Sequence, residues 1–242
     1  MSQLLENQDQ ILTALENGEN LDSVYLDFSK AFDKCDHGIL LHKMKRLKIK
    51  GKLGRWIKSF LTERQQVILV NKVKSKFSKL VSGIPQGSVL GPILFLIYIN
   101  DIGQDLTANT LVYVDDTKVN QKVTSEQDIE ILQQELIKLD NWAKENNMDF
   151  NKGKFVVMRY GQNEDLKNET EYFSGNYEEI IERKESVRDL GVQLTDDGAF
   201  EEHIEKVCKK VRQKSGWIFR TFYSRDTKFL KQLFKSLIQP HI

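Results

Sequence analysis

The sequence predicts an α+β fold in which an antiparallel sheet carries helices packed on one face. Three observations lead there. A short apolar strand, Val24 to Phe28, contains a carboxylate at Asp27; two further strands turn around Asp115-Asp116; and segments of helical periodicity separate and follow them. The resulting order is strand, helices, hairpin, helix, β-hairpin, helix, strand.

The elements follow from local pattern. Leu4, Leu5, Ile11, Leu12 and Leu15 recur at helical spacing, and Glu16-Asn-Gly-Glu-Asn20 stops that helix before the first strand. Helices are expected from about Ile39 to Leu47 and from Lys52 to Leu61. A hairpin then runs from Gln65 to Leu80 with Asn71-Lys72 at its turn. Ser82 to Ser88 is turn-rich and feeds an apolar run, Val89 to Ile99, whose Gly91-Pro92 suits a first helical turn and whose composition predicts burial nearly all round. Thr110 to Val114 and Lys118 to Val123 form a β-hairpin with two carboxylates at its tip. Ser125-x-x-Asp128 reads as a capping box opening a long helix with Ile129, Leu132, Leu136, Leu139 and Trp142 on one face. Strands around Phe155 to Tyr160 and Val187 to Leu194 follow a polar loop at Gln162 to Tyr172, and helices occupy the chain from about Phe200.

At 242 residues and 40% hydrophobic content the chain can fill a sizeable core. It has no uncharged apolar stretch of about 18 residues, and Met1 to Gln10 lacks the pattern of a signal peptide, so an intracellular protein without membrane contact is expected. Two cysteines, Cys35 and Cys208, with no CxxC pair, indicate neither a disulfide framework nor zinc. Net charge is only +1, but the charges are segregated: between His42 and Lys79 the basic residues face a single acid, Glu63, and Lys206 to Arg220 contains none. Such segregation suits a phosphate backbone lying along two surfaces, while either block alone reads first as a solvated helix face.

Aspartates gathered at a strand end and a hairpin tip repel one another unless a cation neutralises them, so Asp27, Asp115 and Asp116 point to a hard divalent metal. Two such ions about 3.5–4 Å apart support in-line phosphoryl displacement. An Asp-Asp pair alone is ordinary turn composition; its apolar flanking strands are what call for an explanation.

The wording of the sequence resembles the reverse transcriptase of non-LTR (LINE-type, jockey-like) retrotransposons. Val24-Tyr-Leu-Asp-Phe-Ser-Lys-Ala-Phe-Asp33 is similar to their motif A. Ser82-Gly-Ile-Pro-Gln-Gly-Ser-Val-Leu-Gly-Pro92 with Tyr98-Ile-Asn-Asp101 is similar to motif B, and Tyr113-Val-Asp-Asp116 to motif C. Group II intron maturases and telomerase resemble it less in wording. The resemblance implies a polymerase palm with partial fingers and the start of a helical thumb: an N-terminal helix at 1–22, the palm at 23–161 with a fingers-side insertion at about 40–84, a connecting loop and primer-grip strands at 162–198, and a thumb fragment at 199–242. It also implies truncation at both ends, because the family's complete proteins carry an endonuclease and further fingers strands.

Roles are implied residue by residue. Asp27, Asp115 and Asp116 would hold Mg²⁺, or Mn²⁺, and Lys154, in a stretch similar to motif D, would protonate the departing pyrophosphate. Phe28, Phe32, Gln86 and Gly87 would surround the deoxynucleotide, with Phe32 as the gate against a 2′-hydroxyl; Phe32 also fits a core aromatic, and Lys154 a surface lysine. Tyr113, Leu190, Gly191, Lys206 and Lys210 would touch primer and template. The implied activity is RNA-directed DNA polymerisation, with RNA template, DNA primer and deoxynucleotides as partners; the alternative is an inactive palm fragment that at most binds nucleic acid. The carboxylates, Phe32 and Gln86 are expected to line one cleft.

Overall fold

The structure is a computed structural model that describes residues 2–161 and 170–241. Its centre is strand β1 (Asn20–Asp27), flanked by β7 (Asp116–Val123) and β8 (Val156–Tyr160), with β6 (Asn109–Tyr113) and β11 (Glu182–Arg183) at the edges. All neighbours in this five-stranded sheet are antiparallel except β11, which runs parallel to β8. β1 begins at Asn20, inside the segment assigned from sequence to the N-terminal helix. Its polar start, Asn20, Asp22 and Ser23, is buried rather than solvated, which the apolar pattern did not signal.

Alternation along the strands makes two faces. Val24, Leu26, Val119 and Val157 point into the main core. That core is closed by α3 (His37–Arg46), α4 (Gly51–Leu61), α5 (Gly91–Ile99) and α6 (Glu126–Glu145), through residues such as Leu40, Met44, Ile57, Phe95, Leu132 and Leu136. The opposite face carries Leu21, Val156, Met158 and Tyr160, and there α1 (Ser2–Glu16) packs with Ile11 and Ala14. Helices therefore cover both faces of the palm sheet, although most lie on one. The buried stripe of α1 is Gln3, Asn7, Ile11 and Ala14; Leu5 and Leu12 stay exposed, because Asn120 on β7 offers its amide to Asn7 and Gln10, both at 2.8 Å. Polar pairing, not leucine periodicity, sets the rotation of this helix.

α6 opens on the expected capping box: the Asp128 carboxylate accepts from the Thr124 and Ser125 amides at 2.9 and 3.0 Å. α5 departs from expectation. It is apolar on both flanks, but only one meets α3 and the sheet, so Ile93 and Leu96 are half exposed and Val89 ahead of it lies open. The 65–80 hairpin is present as two short ladders, β2 (Gln65–Gln66) with β5 (Ser78–Lys79) and β3 (Leu69–Val70) with β4 (Val73–Lys74), separated where Ser75 Oγ accepts from the Ile68 amide. Asn71 and Lys72 both adopt the left-handed conformation that a two-residue hairpin turn requires.

After β8, residues 162–169 of the expected polar loop lie outside the described residues. Tyr172 is buried, and β9 (Phe173–Ser174) with β10 (Glu179–Ile180) forms a small ladder. A second hairpin, β12 (Ser186–Asp189) with β13 (Val192–Thr195), turns on left-handed Leu190 and Gly191 and precedes α7 (Glu201–Thr221) and α8 (Thr227–Leu233).

One buried charge cluster ties this second half to β1. Arg159 clasps the Asp22 carboxylate through Nε, at 2.5 Å, and through an Nη, while the Tyr172 hydroxyl donates to Asp22 Oδ2 at 2.6 Å. Asp22 and Arg159 are almost wholly withdrawn from water. Removing one partner strands the other charge in the core, so Asp22→Ala is expected to lower unfolding free energy by about 3–5 kcal/mol. Urea denaturation followed by circular dichroism measures this, and a loss within experimental error of zero would show that the cluster is solvated.

Candidate nucleotidyl-transfer site

The strand register builds the site. β1 ends on Asp27, and its Cα partner across the ladder is Asp116, the first residue of β7. Tyr113 pairs with Asp116 in turn, leaving Val114 and Asp115 as the two turn residues. Val114 has φ +57°, a conformation that strains a β-branched residue. Three carboxylates from two chain segments thereby line one cleft of about 420 Å³, together with Lys118, Lys154, Arg188, Asp189 and Leu190.

Electrostatics in the cleft follow from that convergence. Partial burial pushes the Asp116 carboxyl above its ordinary range, and repulsion from Asp115 and then Asp27 pushes the same way. Lys154 answers part of this charge: its Nζ lies 2.5 Å from Asp27 Oδ2, a bond that raises the ammonium above its usual value. The lysine arrives by a short 3₁₀ turn, Lys152–Lys154, anchored where the Asn151 amide donates to the Asp27 carbonyl at 2.7 Å. Among the described residues, no three His, Cys, Asp or Glu side chains are gathered closely enough to form a ready-made metal cage. The donors nonetheless fit a hard divalent cation: all are carboxylate oxygens, they repel one another, and the cation paired with Asp27 is a lysine with most of its side chain exposed.

Other predicted residues fall in different places. Phe28 is a correction: it follows Asp27, so by alternation it faces the other side of the sheet, where it is buried and stacked on Phe150 at 4.4 Å. Phe32 and Gln86 do not line the carboxylate cleft. Left-handed Lys30 turns the chain into a short helix, α2 (Ala31–Lys34), which leaves Phe32 half-buried and stacked on Phe95 at 4.7 Å. Gln86 donates to Asp33 Oδ1 at 3.1 Å. Gly87 is left-handed with open space beside it. Tyr113 is about half exposed next to the aspartates. Leu190 borders the aspartate cleft and also a second one of about 720 Å³, where Gly191, Lys206 and Lys210 join Arg188, His203 and His241.

The 82–88 loop is held to α2 by main-chain bonds: the Ile84 amide donates to Phe32 and the Gly83 amide to Cys35, each at 2.8 Å. His37 Nε2 and Arg64 Nη2 both donate to the Gly83 carbonyl, at 2.9 and 2.8 Å. Sequence reading missed two cleft residues, Lys118 and Asp189, which form an ion pair buried at the cleft wall. Lys118 could have been found, since it stands two residues after Asp116 on the same strand face; nothing local pairs it with Asp189.

A sheet ending in paired carboxylates, backed by helices and followed by a hairpin and a helical segment, defines a palm-type polymerase domain. Residues 5–194 match the family described as Reverse transcriptase (RNA-dependent DNA polymerase), and the chain belongs to that family. It is similar to the "RNA-directed DNA polymerase from mobile element jockey" of Drosophila melanogaster, 29% identical over 95% of this chain and 26% of that protein. It is likewise similar to the "Probable RNA-directed DNA polymerase from transposon X-element" of the same organism, 26% identical over 100% of this chain and 27% of that protein. These relatives support a LINE-type reverse transcriptase domain, and this chain spans about a quarter of their length. Among solved structures, a telomerase from Candida albicans superimposes with a TM-score of 0.56 at 15% identity, over 81% of this chain and 32% of that one. An apo telomerase from Candida tropicalis gives 0.54 at 14% identity, over 78% and 38%. Among the described residues no helix is long and apolar enough to cross a membrane.

The loop that carries Gln86 and Gly87 depends on Gly83, at φ +87°, where an added Cβ would lie 2.9 Å from the Asp33 carbonyl oxygen. Gly83→Ala is expected to destabilise by about 2 kcal/mol through backbone strain. Chemical denaturation reads this out, and an unchanged midpoint would mean that the loop relaxes away from α2 without loss.

Proposed function

We propose that this chain carries the nucleotidyl-transfer centre of an RNA-directed DNA polymerase, which extends a DNA primer on an RNA template with deoxynucleotides. The observation that carries this is the cross-strand placement of Asp27 opposite Asp116, with Asp115 in the adjoining turn and Lys154 at the same cleft. Asp27 and Asp115 would hold Mg²⁺, with Mn²⁺ as a substitute, and Asp116 would support them. Bound there, two divalent ions supply activation of the attacking 3′-hydroxyl and stabilisation of the leaving oxygen.

The chain's own groups do the rest. Lys154, freed from Asp27, sits where it can deliver a proton and a positive charge to the departing pyrophosphate. The exposed edge of Phe32 would limit the space at the sugar 2′ position, with Phe95 behind it as a stop. Gln86 and Gly87 would flank the nucleotide from the loop above, Gly87 without a side chain in the way. Tyr113 would meet the primer end, and Leu190-Gly191 would brace the primer strand. Lys206 and Lys210 would lie along the duplex phosphates, giving a binding affinity that falls with salt.

Primer extension on a poly(rA)–oligo(dT) hybrid, with Mg²⁺ or Mn²⁺, tests this directly. The parent chain is expected to extend the primer, and Asp115→Asn with Asp116→Asn to lower the rate by about a hundredfold or more, as loss of preorganised charge at a reacting centre does. No extension by a folded parent that binds the hybrid as well as the double variant does would instead establish a nucleic-acid-binding palm without catalysis.

A further inference from the structure

The β12–β13 hairpin forms a two-stranded sheet of its own, outside the five-stranded one. Its turn nevertheless reaches the aspartate cleft, where Leu190 forms part of the wall. Two contacts hold it to the palm on that side. Val187 packs on the apolar patch of Leu21, Val156 and Met158. Asp189, the last residue before the turn, forms an ion pair with Lys118, and the two side chains are only 3% and 1% exposed. Lys118 is two residues beyond Asp116 on the same face of β7, and its ammonium lies 5.8 Å from the ring centre of its cross-strand partner Tyr25. One sheet face thus presents the Asp27–Asp116 row and, directly behind it, the Tyr25–Lys118 row that grips the hairpin.

A buried ion pair is a poor way to add stability, because apolar side chains of similar volume do as well or better. What it adds is a demand on geometry: each charge must meet its partner or stay unpaired in the core. We propose that Lys118 and Asp189 are positioning residues, a buried electrostatic tie that fixes the 189–191 turn relative to Asp27, Asp115 and Asp116, so that a strand end braced by the turn meets the carboxylates in one register. The use made of the turn rests on the polymerase function proposed above; the tie itself does not.

The test separates the two. In the full chain with Cys208→Ser, spin labels placed at Gln127→Cys on α6 and Arg188→Cys on β12 give the distance distribution between palm and hairpin by pulsed electron resonance. Cys35 is fully buried and stays unlabelled. The parent is expected to give a narrow distribution. The charge-free pair Lys118→Met with Asp189→Leu is expected to melt within a few degrees of the parent yet give a broad one, and the near-isosteric Asp189→Asn should also broaden it, which covers any failure of the double variant to fold. On unlabelled chains, hybrid affinity by fluorescence anisotropy should weaken by about tenfold, the scale of one lost anchor. In chains that extend, KM for the hybrid should rise and kcat should fall with it, because a strand end no longer held in register meets the carboxylates less often. A distribution that stays narrow in both variants overturns the proposal. A distribution that broadens while the parent binds no hybrid leaves the tie standing and removes the polymerase function instead.

Discussion

The antiparallel pairing of β1 with β7 governs the rest of the molecule, because it decides at once which side chains meet the helices and which meet the cleft. With Asp27 opposite Asp116, every odd-numbered residue of β1 faces the hairpin side and every even-numbered one faces the helical core. A slip of one residue would drive Asp27 into the aromatic cluster of Phe28, Phe150 and Trp142 and expose Val24 and Leu26. The apolar face therefore locks the register, and the register delivers the carboxylates.

Charge on this sheet is managed by segregation along the strands. Toward one end of β1 the carboxylates of Asp27 and Asp116 remain in contact with the cleft and lean on Lys154. Further back, each buried charge has a dedicated partner: Lys118 with Asp189, and Asp22 with Arg159 and Tyr172. The unsatisfied negative charge is thus confined to the cleft, while the charges behind it are neutralised within the protein. Among the described residues of the sheet, the aspartate cleft is the favourable place for a recruited cation.

Much of this was legible in the sequence. Strand alternation, the Ser125–Asp128 capping box and the Asn71-Lys72 turn all announce themselves locally, and the three aspartates follow from the strands that hold them. Phe28 was legible too, since its position next to Asp27 commits it to the opposite face; its motif neighbourhood outweighed that parity in the sequence reading. The flank of α5 that stays exposed was not legible, because a helix apolar all round does not say which side finds a partner. Nor were the buried ion pairs: Lys118 and Asp189 are separated by 71 residues and Asp22 and Arg159 by 137, and nothing local joins the members of either pair.

Val114 shows where such a register stores its tension. A β-branched residue at φ +57° forgoes on the order of 1–2 kcal/mol relative to glycine, yet the turn cannot relax without moving Asp115 or breaking the pairing of Tyr113 with Asp116. Like the keystone of an arch, the turn is set by the two strands that rise to meet it, and their pairing fixes where the Asp115 carboxylate is presented. Glycine at this position would therefore unload the turn and leave the ladder on either side of it intact, whereas any residue with a Cβ keeps the load at the point from which the chemistry would be aimed.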